Sequence, residues 1–173
     1  MNNVYLLLGS NIDRERNLPE AVRLLAESVE LVAVSPVYET APVGLTEQPA
    51  FFNAAAHIRT PLSPPQIKQA IIHPIEQTLK RVRQADKNAP RTIDLDIILF
   101  NNAVLDYNHH HIPDPDLLRF AHVAVPLADL APTLRHPETD EPLMDIAQRL
   151  LAAAAIPLIS HPEVSLPHPQ PGQ

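Results

Sequence analysis

The chain has 173 residues, enough for one domain with a sizeable core. Its composition, 45% hydrophobic and 19% charged, is that of a globular protein; no apolar run approaches the ~20 residues of a membrane helix, and the lack of cysteine excludes disulfides and thiolate metal sites. A net charge of −7 opposes general nucleic-acid binding, and with three glycines and neither GxxxxGKS/T nor GxGxxG there is no glycine-rich phosphate loop.

In chain order, Val4–Leu8 reads as a buried strand ending at Gly9-Ser10-Asn11. The N-terminus, MNNVYLLLGSN, lacks a basic region and its apolar stretch is too short for a signal peptide, so a cytoplasmic location is expected. Asn17 is placed to cap a helix carrying Leu18, Ala21, Val22 and Leu25 at helical spacing. Val29–Tyr38 is rich in valine and predicts a strand, Ala41–Pro49 a loop, and Phe51–Ile58 the next strand. Ser63 caps a second predicted helix, with Pro64 and Pro65 in its first turn; it runs to about Val82, and Pro74 kinks or divides it. A basic loop and the strand Ile93–Phe100 follow. Then come a polar turn with His109-His110-His111, a turn or short helix at Pro113–Leu118, an apolar element at His122–Leu130, and a last helix at Leu143–Ala155. Residues 1–160 are expected to form a single domain, and the proline-rich tail 161–173 to be disordered. The order β-α-β-β-α-β predicts a ferredoxin-like α+β fold, a three-layer αβα sandwich with a C-terminal extension.

The stretch RTIDLDIILF (Arg91–Phe100) poses a chemical question. Asp94 and Asp96 share one face of an otherwise apolar strand, roughly 7 Å apart, while Ile93, Leu95 and Ile97 turn to the core. Adjacent carboxylates need a cation nearby to stay ionised. Five of the thirteen basic residues (Lys80, Arg81, Arg83, Lys87 and Arg91) lie just before the pair. One reading is simple salt bridging to Arg91 or Arg83. The other is Mg²⁺, a hard ion that completes its shell with water and phosphate oxygens while arginines hold the remaining phosphate charge.

The segment RVRQADKNAPRTIDLDIILF (Arg81–Phe100) resembles the signature of the 6-hydroxymethyl-7,8-dihydropterin pyrophosphokinase family of folate synthesis, most strongly at PRTIDLDI. LLLGSN (Leu6–Asn11), SPVYETAPVG…QPAFFNAA (Ser35–Ala55) and VPLADLAP (Val125–Pro132) match in order, so the resemblance covers about Val4 to Leu150. It implies an ATP-dependent pyrophosphokinase that moves a pyrophosphoryl group to the pterin hydroxymethyl oxygen and releases AMP. It implies Asp94 and Asp96 as ligands of two Mg²⁺ ions, Arg81 and Arg91 as catalytic loop arginines, and Glu76, Arg83, Ile97, Asp114 and Arg119 on the nucleotide side. On the pterin side it implies Phe51 and His122 as stacking rings, Asn53 as the amide that reads the ring edge, and Thr40, Ala41 and Val43 as loop contacts. Read without the family, Phe51 or Phe52 is simply a core residue. The resemblance further implies a monomer acting on small molecules, with no nucleic acid and no membrane.

Several positions depart from the family pattern. Lys80 replaces a glycine; Asn88 and Ala89 replace common loop residues; Asp114 replaces a phosphate-contacting histidine; Phe120 stands where an arginine is expected, with Arg119 one residue earlier; and His122 replaces a phenylalanine. These departures motivate an alternative, a weakly active paralogue that binds pterin or nucleotide. A Mg²⁺-dependent nuclease using the paired aspartates is opposed by the acidic net charge. The basic loop has few apolar anchors between Arg83 and Pro90 and is expected to be mobile without ligands.

Overall fold

The structure, a computed structural model, describes residues 1–44, 46–86 and 88–169. Leu45, Lys87 of the basic run and the last four residues of the expected tail lie outside the described residues. The elements are β1 (Asn2–Ser10), α1 (Arg14–Ser28), β2 (Glu30–Val34), β3 (Tyr38–Thr40), β4 (Phe51–Thr60), α2 (Pro64–Ile67), a π-turn (Lys68–Ile72), α3 (His73–Thr78) and β5 (Asp94–Phe100). There follow β6 (Leu105–Tyr107), β7 (His110–Ile112), a 3₁₀ turn (Pro115–Leu118), α4 (Ala121–Leu130), α5 (Leu143–Ala153) and β8 (Ile159–Ser160).

The main sheet runs β5-β1-β4-β3-β8, with β2 also on β4. Counting β2 and β3 as one interrupted strand gives the predicted ferredoxin-like arrangement, every pairing antiparallel. The alternation of each strand separates two cores. Leu6, Leu8, Phe52, Ala54, Leu95 and Ile97 pack against α1 and the α2–α3 helix, while Tyr5, Leu7, Ala55 and Ile98 meet α4 and α5. Helix α4 meets the middle of the sheet, so Gly9, Asn53, Asp94 and Asp96 at its far end are left facing a cleft.

Four local outcomes differ from expectation. Helix α1 starts three residues before Asn17, whose amide Nδ2 instead donates back to the Ile12 carbonyl at 2.7 Å. The strand predicted over Val29–Tyr38 breaks at Ser35-Pro36, because proline cannot donate to a ladder. The second helix is divided, as Pro74 requires, but through a π-turn: His73 N–H reaches the Lys68 carbonyl, and the chain passes a residue with no N–H without leaving the helical path. It stops at Thr78, four residues early. There Arg81 N–H bonds the Glu76 carbonyl at 2.9 Å and Lys80 N–H the Gln77 carbonyl at 3.0 Å. This is the Schellman pattern, with Lys80 left-handed at φ 56°.

The tail corrects a further expectation as far as it is described. β8 pairs with β3, His161 N–H donates to the Val37 carbonyl at 2.9 Å, and the His161 ring lies 4.9 Å from that of Phe52. Leu166 is buried in the α1-side core and Val164 packs against it. Residues 161–169 are therefore packed on the fold; their prolines remove ladder donors without preventing apolar burial.

Candidate active site

The cleft encloses about 990 Å³ between the end of the sheet, the 40–50 loop, the 80–91 loop and the β6–β7 hairpin. That is space for two small molecules side by side. Its floor is set by register: Gly9 of β1 pairs with Asn53 on one side and Asp94 on the other, and Leu7 with Ala55 and Asp96. A Cβ at Gly9 would come within 3.3 Å of Asn53 Oδ1, so glycine keeps the floor low beside that amide.

At one end stand the expected pterin residues. Phe51 faces the cleft and Phe52 the core, which is the consequence of one step along a strand. The Arg91 guanidinium lies 5.5 Å from the Phe51 ring centre. Asn53 is buried and its Nδ2 donates to the Tyr38 carbonyl at 3.4 Å. Thr40, Ala41 and Val43 line the rim, and His122 closes the far side, stacked on Phe120 at 5.3 Å. Desolvation lowers the His122 pKa, so the ring is neutral.

At the other end, β5 alternation puts Asp94, Asp96 and Ile98 on the cleft side. Ile97, expected on the nucleotide side, sends its side chain into the core, so Ile98 supplies the apolar wall instead. Arg91 Nη1 lies 2.5 Å from Asp94 Oδ2, and Arg81 Nη1 3.4 Å from Asp94 Oδ1. Both arginines point inward and are largely covered, and Ala89, buried at 8% exposure, is one apolar anchor of their loop. Arg83 is exposed and ties back to Glu76 at 2.9 Å. Glu76 is buried off the cleft and anchors Arg83 there. Arg119 faces the cleft and pairs with Asp116 at 3.4 Å.

Asp96 is served differently. Its ion-pair partner is Lys68 at 3.7 Å. Desolvation at the cleft bottom, then Asp94, and further Asp114 and Glu76 push its pKa up to about 7, with Lys68 opposing, although 43% of its side chain stays open to the cleft. Desolvation also raises the pKa of Asp114, whose carboxylate accepts from Asp116 N–H at 2.9 Å and so caps the 3₁₀ turn. This end of the cleft is thus short of positive charge, and a hard divalent cation suits two carboxylates on one strand face. Among the described residues no set of three or more His, Cys, Asp or Glu could hold a metal unaided, so the rest of the shell falls to water and ligand oxygens.

The sequence reading missed Lys68, His73, Tyr107 and His110, all of which line the cleft. The β6–β7 hairpin turns through Asn108 and His109, both at positive φ, a type I′ geometry. His110 consequently faces the cleft, whereas His111 points away to Asp106 (2.7 Å) and Glu138 (3.1 Å). The three histidines do not converge.

A ferredoxin-like sheet with a carboxylate pair ringed by arginines defines a cleft of the type that holds a metal-bound polyphosphate beside a second ligand. Residues 5–132 match the family model described as 7,8-dihydro-6-hydroxymethylpterin-pyrophosphokinase (HPPK). The chain is 41% identical over 134 residues to 2-amino-4-hydroxy-6-hydroxymethyldihydropteridine pyrophosphokinase of Bacillus subtilis (strain 168), covering 75% of this chain and 79% of that protein. It is 41% identical over 138 residues to the protein of the same name from Pseudomonas aeruginosa, covering 78% and 84%. In fold it is similar to Plasmodium falciparum HPPK-DHPS (TM-score 0.66, 16% identity), with 88% of this chain matched to 44% of that one, so it spans less than half of that longer protein. The chain belongs to the HPPK family. Among the described residues no helix is long and apolar enough to cross a membrane.

Proposed function

We propose that this protein transfers a pyrophosphoryl group from ATP to the hydroxymethyl oxygen of 6-hydroxymethyl-7,8-dihydropterin, releasing AMP, in folate biosynthesis. It is an enzyme of the pyrophosphokinase type. The observation that carries the reading is the cleft itself: a ring-lined end and a carboxylate end meet over the Gly9 floor, with Arg91 reaching both Phe51 and Asp94.

In this reading the pterin lies between Phe51 and His122, its edge read by Asn53 and by the backbone of Thr40, Ala41 and Val43. Neutral rings suit a flat neutral heterocycle. ATP lies over Asp94 and Asp96, towards Arg83, Arg119 and the apolar wall at Ile98. Mg²⁺, two ions in this proposal, shields the triphosphate when bound at the two carboxylates. Arg81 and Arg91 both pair with Asp94 and would, from beside that carboxylate, stabilise charge on the transferring group. Buried Arg81 Nε has no hydrogen-bond partner among the described residues, a donor left for a ligand oxygen. A monomer acting in the cytoplasm on small molecules, built as one domain, belongs to the same proposal.

The test is AMP release from ATP and the dihydropterin with and without Mg²⁺, in wild type and Asp96→Ala. Turnover is expected to need Mg²⁺ and to vanish in Asp96→Ala while its circular dichroism stays native. Near-normal AMP release by Asp96→Ala overturns the metal assignment.

A further inference from the structure

We infer that Lys68 is an exchangeable cation of the nucleotide site: it pairs with Asp96 in the ligand-free protein and passes to a phosphate of the incoming nucleotide when metal takes the carboxylate. This deepens the reading above and rests on it.

Three observations carry the inference. Lys68 Nζ lies 3.7 Å from Asp96, and the lysine side chain is only 16% exposed, so the ammonium is held in the cleft instead of trailing in solvent. Lys68 is the first residue of the π-turn, the one irregular turn of the 64–78 helix, and it lines the cleft from there. π-turns displace side chains from regular helical register and recur at functional sites. The charges are also divided unequally. Asp94 has two arginines, whereas Asp96 pairs with this lysine, with Asp94 and Asp114 adding negative charge around it.

A divalent ion between the two aspartates would stand close to Nζ and repel it. Lysine is a point charge on a flexible four-carbon stem, able to swing between two anionic partners. The phosphates that arrive with the metal are its best new partner, and Lys68 there offsets the carboxylate of Asp114. The exchange makes the lysine a competitor of bare metal and a helper of metal-nucleotide, two effects of opposite sign.

The experiment titrates the intact chain as wild type, Lys68→Met and Lys68→Arg. Mn²⁺ binding without nucleotide is read from the free-Mn²⁺ electron paramagnetic resonance signal, and binding of Mg²⁺ with α,β-methylene-ATP by calorimetry. Lys68→Met is expected to tighten Mn²⁺ about three- to tenfold and to weaken the Mg²⁺–nucleotide complex by a similar factor. Lys68→Arg is expected to keep the nucleotide affinity within about twofold of wild type. No change in either titration, or both moving the same way as general damage to the site would move them, overturns the exchange. A wild type that binds both ligands yet releases no AMP with pterin present overturns the pyrophosphokinase reading and leaves the exchange standing.

Discussion

Asp114 shows how one residue can carry two opposed effects. Its carboxylate lines the carboxylate end of the cleft, where it adds negative charge near Asp96, and it also caps the 3₁₀ turn by accepting from Asp116 N–H at 2.9 Å. A carboxylate ~5 Å from a phosphate at a partly exposed site costs about 1 kcal/mol. Asp114→Asn removes the charge and keeps a capping oxygen. It is expected to tighten Mg²⁺–ATP about five- to tenfold in calorimetry, with pterin affinity unchanged. Weaker ATP binding would mean that the carboxylate itself contacts the nucleotide. Residue-scale placement was legible where strand alternation decided it: Asp94 and Asp96 share the cleft face as the i, i+2 spacing requires. Alternation also settles Phe51 against Phe52 once the strand's inner face is known. The placement of Glu76 was not legible, because a motif gives a position in sequence and not the direction in which the side chain points; the carboxylate is buried and anchors Arg83.

At the scale of elements, irregular turns hid the most from the sequence. Lys68 reads as a solvated helical lysine until the π-turn before Pro74 brings it to the cleft, and a single sequence gives no mark of that turn. Lys80 sits at the left-handed residue of a Schellman end. The backbone there disfavours any Cβ, so Lys80→Gly is expected to stabilise the fold by about 1 kcal/mol in urea melts, without loss of AMP release. A destabilised variant would show that the lysine side chain compensates for the strain. The C-terminal strap is the converse case. Its prolines suggested disorder, but composition does not reveal that the α1-side core has room for Leu166. Leu166→Ala is expected to cost about 2–3 kcal/mol in the same melts. A change near zero would return the strap to the unpacked segment that its composition suggests.

The described residues form a six-stranded antiparallel sheet with a core on each face, beside the β6–β7 hairpin, and the order of the main sheet was legible because the β-α-β-β-α-β succession leaves few ways to cover both faces. Stability should respond to pH through buried His136. Its Nδ1 accepts from Glu138 N–H at 3.2 Å and Thr139 N–H at 3.3 Å, and its Nε2 is buried without a hydrogen-bond partner among the described residues. Desolvation lowers its folded pKa below the ordinary 6.5, aided by His111 and opposed by Glu138 and Glu141. Above that value both folded and unfolded states are neutral. As pH falls below it the unfolded chain binds the proton first, so stability drops, by at most about 1.4 kcal/mol per pH unit from this group. The half-buried His111, its pKa raised by Asp106 and Glu138, acts in the opposite direction. His136→Asn, which keeps an acceptor for the two N–H groups, is expected to lower the melting temperature at pH 7.5 but to flatten its fall between pH 6.5 and 5. An undiminished fall would place the pH response elsewhere.

The central claim is that the cleft carries out pyrophosphoryl transfer and not transfer of a single phosphoryl group or simple ligand binding. The most direct measurement is the product pair from ATP, Mg²⁺ and 6-hydroxymethyl-7,8-dihydropterin, separated by chromatography and identified by ³¹P resonance. The account predicts AMP and a pterin diphosphate in equal amounts, both absent without Mg²⁺. ADP with a pterin monophosphate, or unaltered ATP beside bound pterin, would contradict it.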